Sequence, residues 1–184
     1  ISFFIFSQEG IYKKEKDSIT YYLKSFKKKN DLTFLEKAVK IAQKTNIDSH
    51  IKETNIEYGL QSFLKKNSRG LKISQQNLLK LYTKTKDSFV LAKYYHYKAL
   101  SKKNLFKNDS SFYYYHKSKN ISIQLKDSLE VARRLLSMSN MQSNERDFLG
   151  CEISLIEGLK YIEPLNEIRY TASFYNNLGL ILSE

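Results

Sequence analysis

An Asp-Ser pair returns along this chain at a nearly fixed interval. It stands at Asp17-Ser18, Asp48-Ser49, Asp87-Ser88 and Asp127-Ser128, and Glu167-Ile168 falls where a fifth copy is due. The steps are 31, 39, 40 and 40 residues, and Lys16, Lys86 and Lys126 precede three of the copies. A period near forty residues marks a repeat array, in which each unit buries its apolar face only by stacking on its neighbours. The functional question then becomes what such an array binds rather than what it catalyses.

The period resolves into helix pairs. In residues 87–126, Asp87 suits an N-cap, whose carboxylate accepts from the free amides of the first turn. Phe89, Ala92, Tyr95 and Ala99 then recur at helical steps and predict one apolar face. Lys107, Asn108, Asp109 and Ser110 form a turn with a second cap, and Phe112, Tyr115, Ile121 and Leu125 mark a second helix. The next unit repeats this: Asp127 to Glu130 reads as a capping box, followed by Val131, Leu135 and Met138. Asn144 to Asp147 is its turn, Phe148, Cys151, Leu155 and Leu159 mark its second helix, and Pro164 ends it. Six Gly, one Pro and 41% hydrophobic residues fit an ordered, helix-rich chain. No apolar run approaches the roughly 20 residues needed to cross a bilayer.

Small residues keep the same register. Gly59, Ala99, Ser139 and Gly179 stand forty apart in the first helices, and Ser118 and Gly158 do so in the second. Small side chains let helix axes approach to about 8 Å. Together with the aromatics at Tyr95 and Tyr175, the small residues Ser111 and Cys151, the large ones Tyr115 and Leu155, and Pro164, this pattern resembles the tetratricopeptide repeat across about residues 17–184. Tyr175-Asn176-Asn177-Leu178-Gly179 is a strong piece of it, whereas Lys98 stands where that family prefers Leu and the first two units match weakly. The unit is also longer than the family's. The expected fold is an all-α, right-handed solenoid of about four antiparallel helix pairs plus the opening helix of a fifth. Its units fall near 17–47, 48–86, 87–126, 127–166 and 167–184, within one domain over 8–184.

The resemblance implies a non-enzymatic protein- or peptide-binding module. Long repeats of this kind resemble the input regions of bacterial membrane-anchored signalling proteins and transcription regulators. It also implies that the first helices line a concave face, with Lys93, His96, Leu100, Arg133, Leu136, Asn140 and Asn176 pointing into it. Leu at three of the equivalent sites suggests an apolar partner segment. The helix of the fifth unit, with Tyr175, Leu178 and Leu182, offers an edge for self-association.

Charge and tyrosine supply the rival reading. Residues 1–126 hold 26 Lys/Arg against 10 Asp/Glu, and residues 127–184 hold 5 against 9. Tyr21-Tyr22, Tyr94-Tyr95 with Tyr97, and Tyr113-Tyr114-Tyr115 could stack on bases while lysines hold phosphates, as in a basic nucleic-acid-binding repeat. The same clusters also fall where helix pairs pack, which is their structural explanation.

Catalytic motifs are missing: there is no P-loop, GxGxxG, HExxH or CxxC pair. His96 and His116 could face one another across one unit, but two imidazoles without a further ligand make a poor metal site. Cys151, the lone cysteine, reads as a small core residue, and no cofactor or metal is implied. Residues 1–7 (Ile1-Ser2-Phe3-Phe4-Ile5-Phe6-Ser7) read either as the tail of a signal peptide cleaved before Gln8 or as a capping helix. The first places the protein in a bacterial periplasm or outside the cell, the second in the cytoplasm.

Overall fold

The computed structural model describes the backbone of residues 2–183 and the side chains of residues 14–183. The two readings of residues 1–7 turn on side chains outside the described residues. Among the described residues all nine long elements are α-helices: α1 (Ser2–Lys29), α2 (Leu32–Thr45), α3 (Asp48–Leu64), α4 (Ser68–Thr85), α5 (Ser88–Lys103), α6 (Asn108–Gln124), α7 (Ser128–Asn144), α8 (Phe148–Ile162) and α9 (Ile168–Ile181). A 3₁₀ turn, Glu163–Leu165, carries Pro164 between α8 and α9. No strand occurs among the described residues, and no helix there is long and apolar enough to cross a membrane.

The chain divides into two compact units, Ile1–Lys86 and Asp87–Glu184. In the first, α1 packs on α2, α2 on α3 and α3 on α4. In the second, α5 packs on α6, α6 on α7, α7 on α8 and α8 on α9. This is the helical-repeat architecture expected, with four pairs and the opening helix of a fifth.

The connections share one backbone device. Asn30, Asn46, Lys66, Lys86, Phe106, Lys126, Arg146 and Asn166 all adopt the left-handed conformation, with φ between 53° and 61°. From Asn46 onward they stand twenty residues apart, half the repeat period. Such a residue reverses the chain after each helix and lets the next amides bond back to its last carbonyls, as the Lys126 and Asp127 amides do to Ile123 and Ser122. None of these positions is Gly, so each carries the steric cost of a Cβ in that region.

Several helix starts differ from expectation. Asp17 does not cap a helix, because α1 runs unbroken through it and Ser18 Oγ donates to the Lys14 carbonyl inside the same helix. Nothing upstream terminates that helix, so Asp17 meets no free amides. Ile47, not Asp48, is the N-cap of α3, and the Asp48 carboxylate instead pairs with Lys84 at 2.6 Å. The cap before α6 is Lys107, with no side-chain bond, and Glu167 likewise makes none for α9. Asp87 accepts from the Phe89 and Val90 amides and Asp127 from Glu130, as their positions predict; Asp147, read as the end of a turn, also caps α8 by accepting from Gly150. The capping box at Asp127 is only half formed, since Glu130 turns its carboxylate to cations instead.

Packing follows the small-residue register. Ala99 and Ser139 are fully buried, and Ser111 Oγ and Ser118 Oγ donate across the α5–α6 contact to the Ala99 and Ala92 carbonyls, both at 2.9 Å. The buried face of α5 is Val90, Ala92, Tyr97, Ala99 and Leu100. Tyr95, expected on that face, lies at its edge and stacks on Tyr114 of α6. In α8, Gly158 leaves the space that the Phe174 ring of α9 fills, and a Cβ there would collide with that ring. Gly179 has no such neighbour.

Gly158→Ala should therefore destabilise the fold by about 1–3 kcal/mol through overpacking, even though Ala is favoured over Gly in a helix by about 1 kcal/mol. A rise in the urea midpoint would contradict the notch-and-ring packing. Phe106, 90% exposed at φ 54°, gives the opposite case. Phe106→Gly should raise stability by about 0.5–1 kcal/mol, the relief of left-handed strain less the entropy of Gly.

Candidate functional site

Two features of the second unit gather polar chemistry. The first is built by α5 and α7 around Glu130. Arg133 and Arg134 follow it at the i+3 and i+4 positions that share a helix face. Arg133 Nη1 donates to Glu130 Oε1 at 2.8 Å, Arg134 Nη2 to Oε2 at 3.1 Å, and Lys93 Nζ of α5 lies 2.7 Å from Oε2. The cluster is largely out of solvent: the Lys93, Glu130 and Arg134 side chains are 13%, 10% and 3% exposed. Arg133 is the open member, and its guanidinium sits 5.0 Å over the Tyr170 ring of α9.

Burial alone would raise the Glu130 carboxyl, but Arg134 and Lys93 outweigh it and bring the group down to about 2. Burial pulls the Lys93 ammonium below its ordinary value, an effect that Glu130 partly offsets. His96, on the same helix, is held well below 6.5 by burial and then by Arg134, Lys93 and Arg133. It is a neutral imidazole at physiological pH, against the Tyr97 and Tyr115 rings at 5.2 and 6.1 Å. The expected facing of His96 and His116 is not formed: His116 is exposed, with its Nδ1 near Asn120 Nδ2.

The second feature is an open cleft of about 780 Å³. Asn140, Ser143 and Asn144 of α7 and Asn177, Leu180 and Ile181 of α9 line it, with Lys103, Arg146, Phe148 and Cys151. Asn177 Nδ2 donates to Asn140 Oδ1 at 2.8 Å, which joins its two helical walls. Its lining holds two cations, three amides and no carboxylate. Such a wall offers mostly donors to an entering group, over the apolar patch of Phe148, Leu180 and Ile181. Burial pushes the Cys151 thiol up, which keeps it protonated and poorly nucleophilic.

The concave-face residues thus divide. Lys93 and Arg133 converge on Glu130, His96 is buried against the Tyr97 and Tyr115 rings, and Asn140 lines the cleft. Leu100 is buried, and Leu136 is half-buried and packs on the core around Leu155 and Phe174. Asn176 is exposed and stands outside the cleft lining, where its neighbour Asn177 takes the place. Sequence reasoning missed Glu130, Arg134, Asn144 and Asn177. The spacing Glu130–Arg133–Arg134 was a usable signal for the first two.

The tyrosines of this unit are engaged with one another and with lysine. Tyr95 and Tyr114 stack at 6.0 Å, Lys98 Nζ lies 4.6 Å over Tyr114, and Lys117 Nζ lies 4.6 Å over Tyr113. In the first unit, Lys16, Lys24 and Lys27 of α1 line a groove of about 230 Å³ with His50 and Glu53 of α3.

A depressed carboxyl stabilises the fold above its unfolded value near 4.5 and loses that contribution as pH falls toward about 2. The shift corresponds to stabilisation on the order of 3 kcal/mol. Glu130→Gln should accordingly lower the thermal midpoint strongly at pH 7, and the gap to the unsubstituted chain should close as pH falls from 4.5 toward 2. A gap constant with pH would remove Glu130 as the electrostatic centre.

No family model matches the chain, and no curated protein is similar enough to serve as a relative.

Proposed function

We propose that the chain is a non-enzymatic, tetratricopeptide-like module that binds an extended peptide segment of a protein partner, as the input or scaffold region of a bacterial signalling or transcription regulator. The amide-lined cleft carries this reading. Side-chain amides satisfy the alternating donors and acceptors of an extended backbone, and the patch of Phe148, Leu180 and Ile181 takes apolar side chains. Lys103 and Arg146, with no opposing carboxylate in the lining, favour a segment with acidic rather than basic flanks. Tyr95 and Tyr114 support the same reading, since they stack on one another and lie under Lys117 and Lys98.

The basic groove on α1 is the observation behind the alternative, a nucleic-acid surface. A random peptide library displayed on phage, selected on the full chain, should yield apolar, acidic-flanked binders. The Asn140→Ala, Asn177→Ala double variant should bind them about tenfold or more weakly, the effect of two lost hydrogen bonds, and should still unfold cooperatively, with a midpoint lowered by no more than the loss of the Asn177–Asn140 bond. Unchanged binding in that variant would remove the cleft assignment. A labelled single-stranded RNA bound with affinity that falls steeply as salt rises, and that weakens on Lys24→Gln, would favour the alternative.

A further inference from the structure

The cluster around Glu130 has charge left over. Lys93, Arg133 and Arg134 bring three positive charges and Glu130 returns one, while His96 contributes none. Buried, uncompensated cations are costly unless an anion or a full set of acceptors meets them. Here the acceptors run out. Arg134 is 3% exposed, yet its Nε and Nη1 have no hydrogen-bond partner, and neither do the buried Arg133 Nε and His96 Nδ1. A guanidinium carries five donors in a fixed fork, and Glu130 uses only one of Arg134's nitrogens. Three of the four unpartnered nitrogens belong to Arg133 and Arg134 beside Glu130, and the fourth to His96, which follows Lys93 at i+3 on α5; the partly exposed Arg133 gives the cluster an opening to solvent.

We propose that this cluster is a binding site for an oxyanion group, the chemistry shared by inorganic phosphate and by a carboxylate. Arg134 and Arg133 supply the primary donors, Lys93 the remaining charge, and His96 a further donor in the tautomer that carries its proton on Nδ1. Glu130 spaces the three cations and holds them in place, so the site exists before the anion arrives. This goes beyond the peptide reading, because the cluster shares no residue with the amide-lined cleft and neither depends on the other being correct.

The test is thermal unfolding of the full chain at constant ionic strength, titrated with sodium phosphate, sodium acetate or sodium chloride. One of the two oxyanions should raise the midpoint saturably, by about 3–8 °C well above its dissociation constant, with chloride far less effective. The oxyanion that saturates at the lower concentration identifies the source, phosphate or carboxylate. Arg134→Gln should abolish the saturable shift. Because that buried substitution can fail to fold, Arg133→Gln is the second variant and should weaken the midpoint concentration about tenfold, while Lys119→Gln, whose lysine pairs with Glu157 outside the cluster, should leave it unchanged. Equal shifts from all three salts, or an unaltered titration in Arg133→Gln, would overturn the site.

Discussion

A chain reversal by one left-handed residue every twenty positions is the constraint on which the other features rest. It fixes the length of each helix, and with it the phase at which each helix meets the next. Because the phase is fixed, Ser111 and Cys151, or Ser118 and Gly158, arrive at corresponding places forty residues apart. A one-residue error in any connection would turn the following helix by about 100°, exposing its buried stripe. The cost of placing Lys, Arg, Phe or Asn in that conformation is tolerated because tertiary burial on both sides of each turn outweighs it.

On that frame the second unit solves two different packing problems. Between α5 and α6, close approach is managed with hydroxyls that donate to helical carbonyls, so polar side chains serve as small core residues. Between α5 and α7, long cationic side chains are buried instead, and their presence is sustained by one carboxylate. An array of this sort has no need of buried charge for its stability alone, since apolar replacements of similar volume often serve as well or better. Glu130 contributes to stability through its depressed carboxyl, and the cations it holds are the groups on which the proposed oxyanion site rests.

Much of this was legible in the chain itself. The forty-residue period and the small positions Ala99, Ser139 and Gly158 predicted the pairs, because repeat register is carried by the order of residues. The caps at Asp87 and Asp127 were legible too, for each follows a break in the preceding helix. Asp17 misled because a cap depends on what precedes it, and α1 does not stop there. Asn176 was preferred to Asn177 because one residue of helical phase separates an exposed position from a cleft wall. Arg134 was invisible to hydropathy, which assigns a guanidinium to the surface; only its pairing with Glu130 makes burial tolerable. The proposed binding role rests on these side chains and not on membership of a family.

The Phe174 ring in the notch at Gly158 has a consequence for motion. Phe174 is the only fully enclosed side chain among the described residues of α9, and the rest of that helix is held by half-buried contacts of Tyr170, Leu178 and Ile181. The free energy of releasing a segment follows the buried contacts it breaks, which makes α9 the readiest element of the second unit to detach. Asn177, Leu180 and Ile181 ride on it. Transient release of α9 and widening of the cleft are thus a single event, and any occupant that spans α7 and α9 would slow amide exchange along the whole last helix.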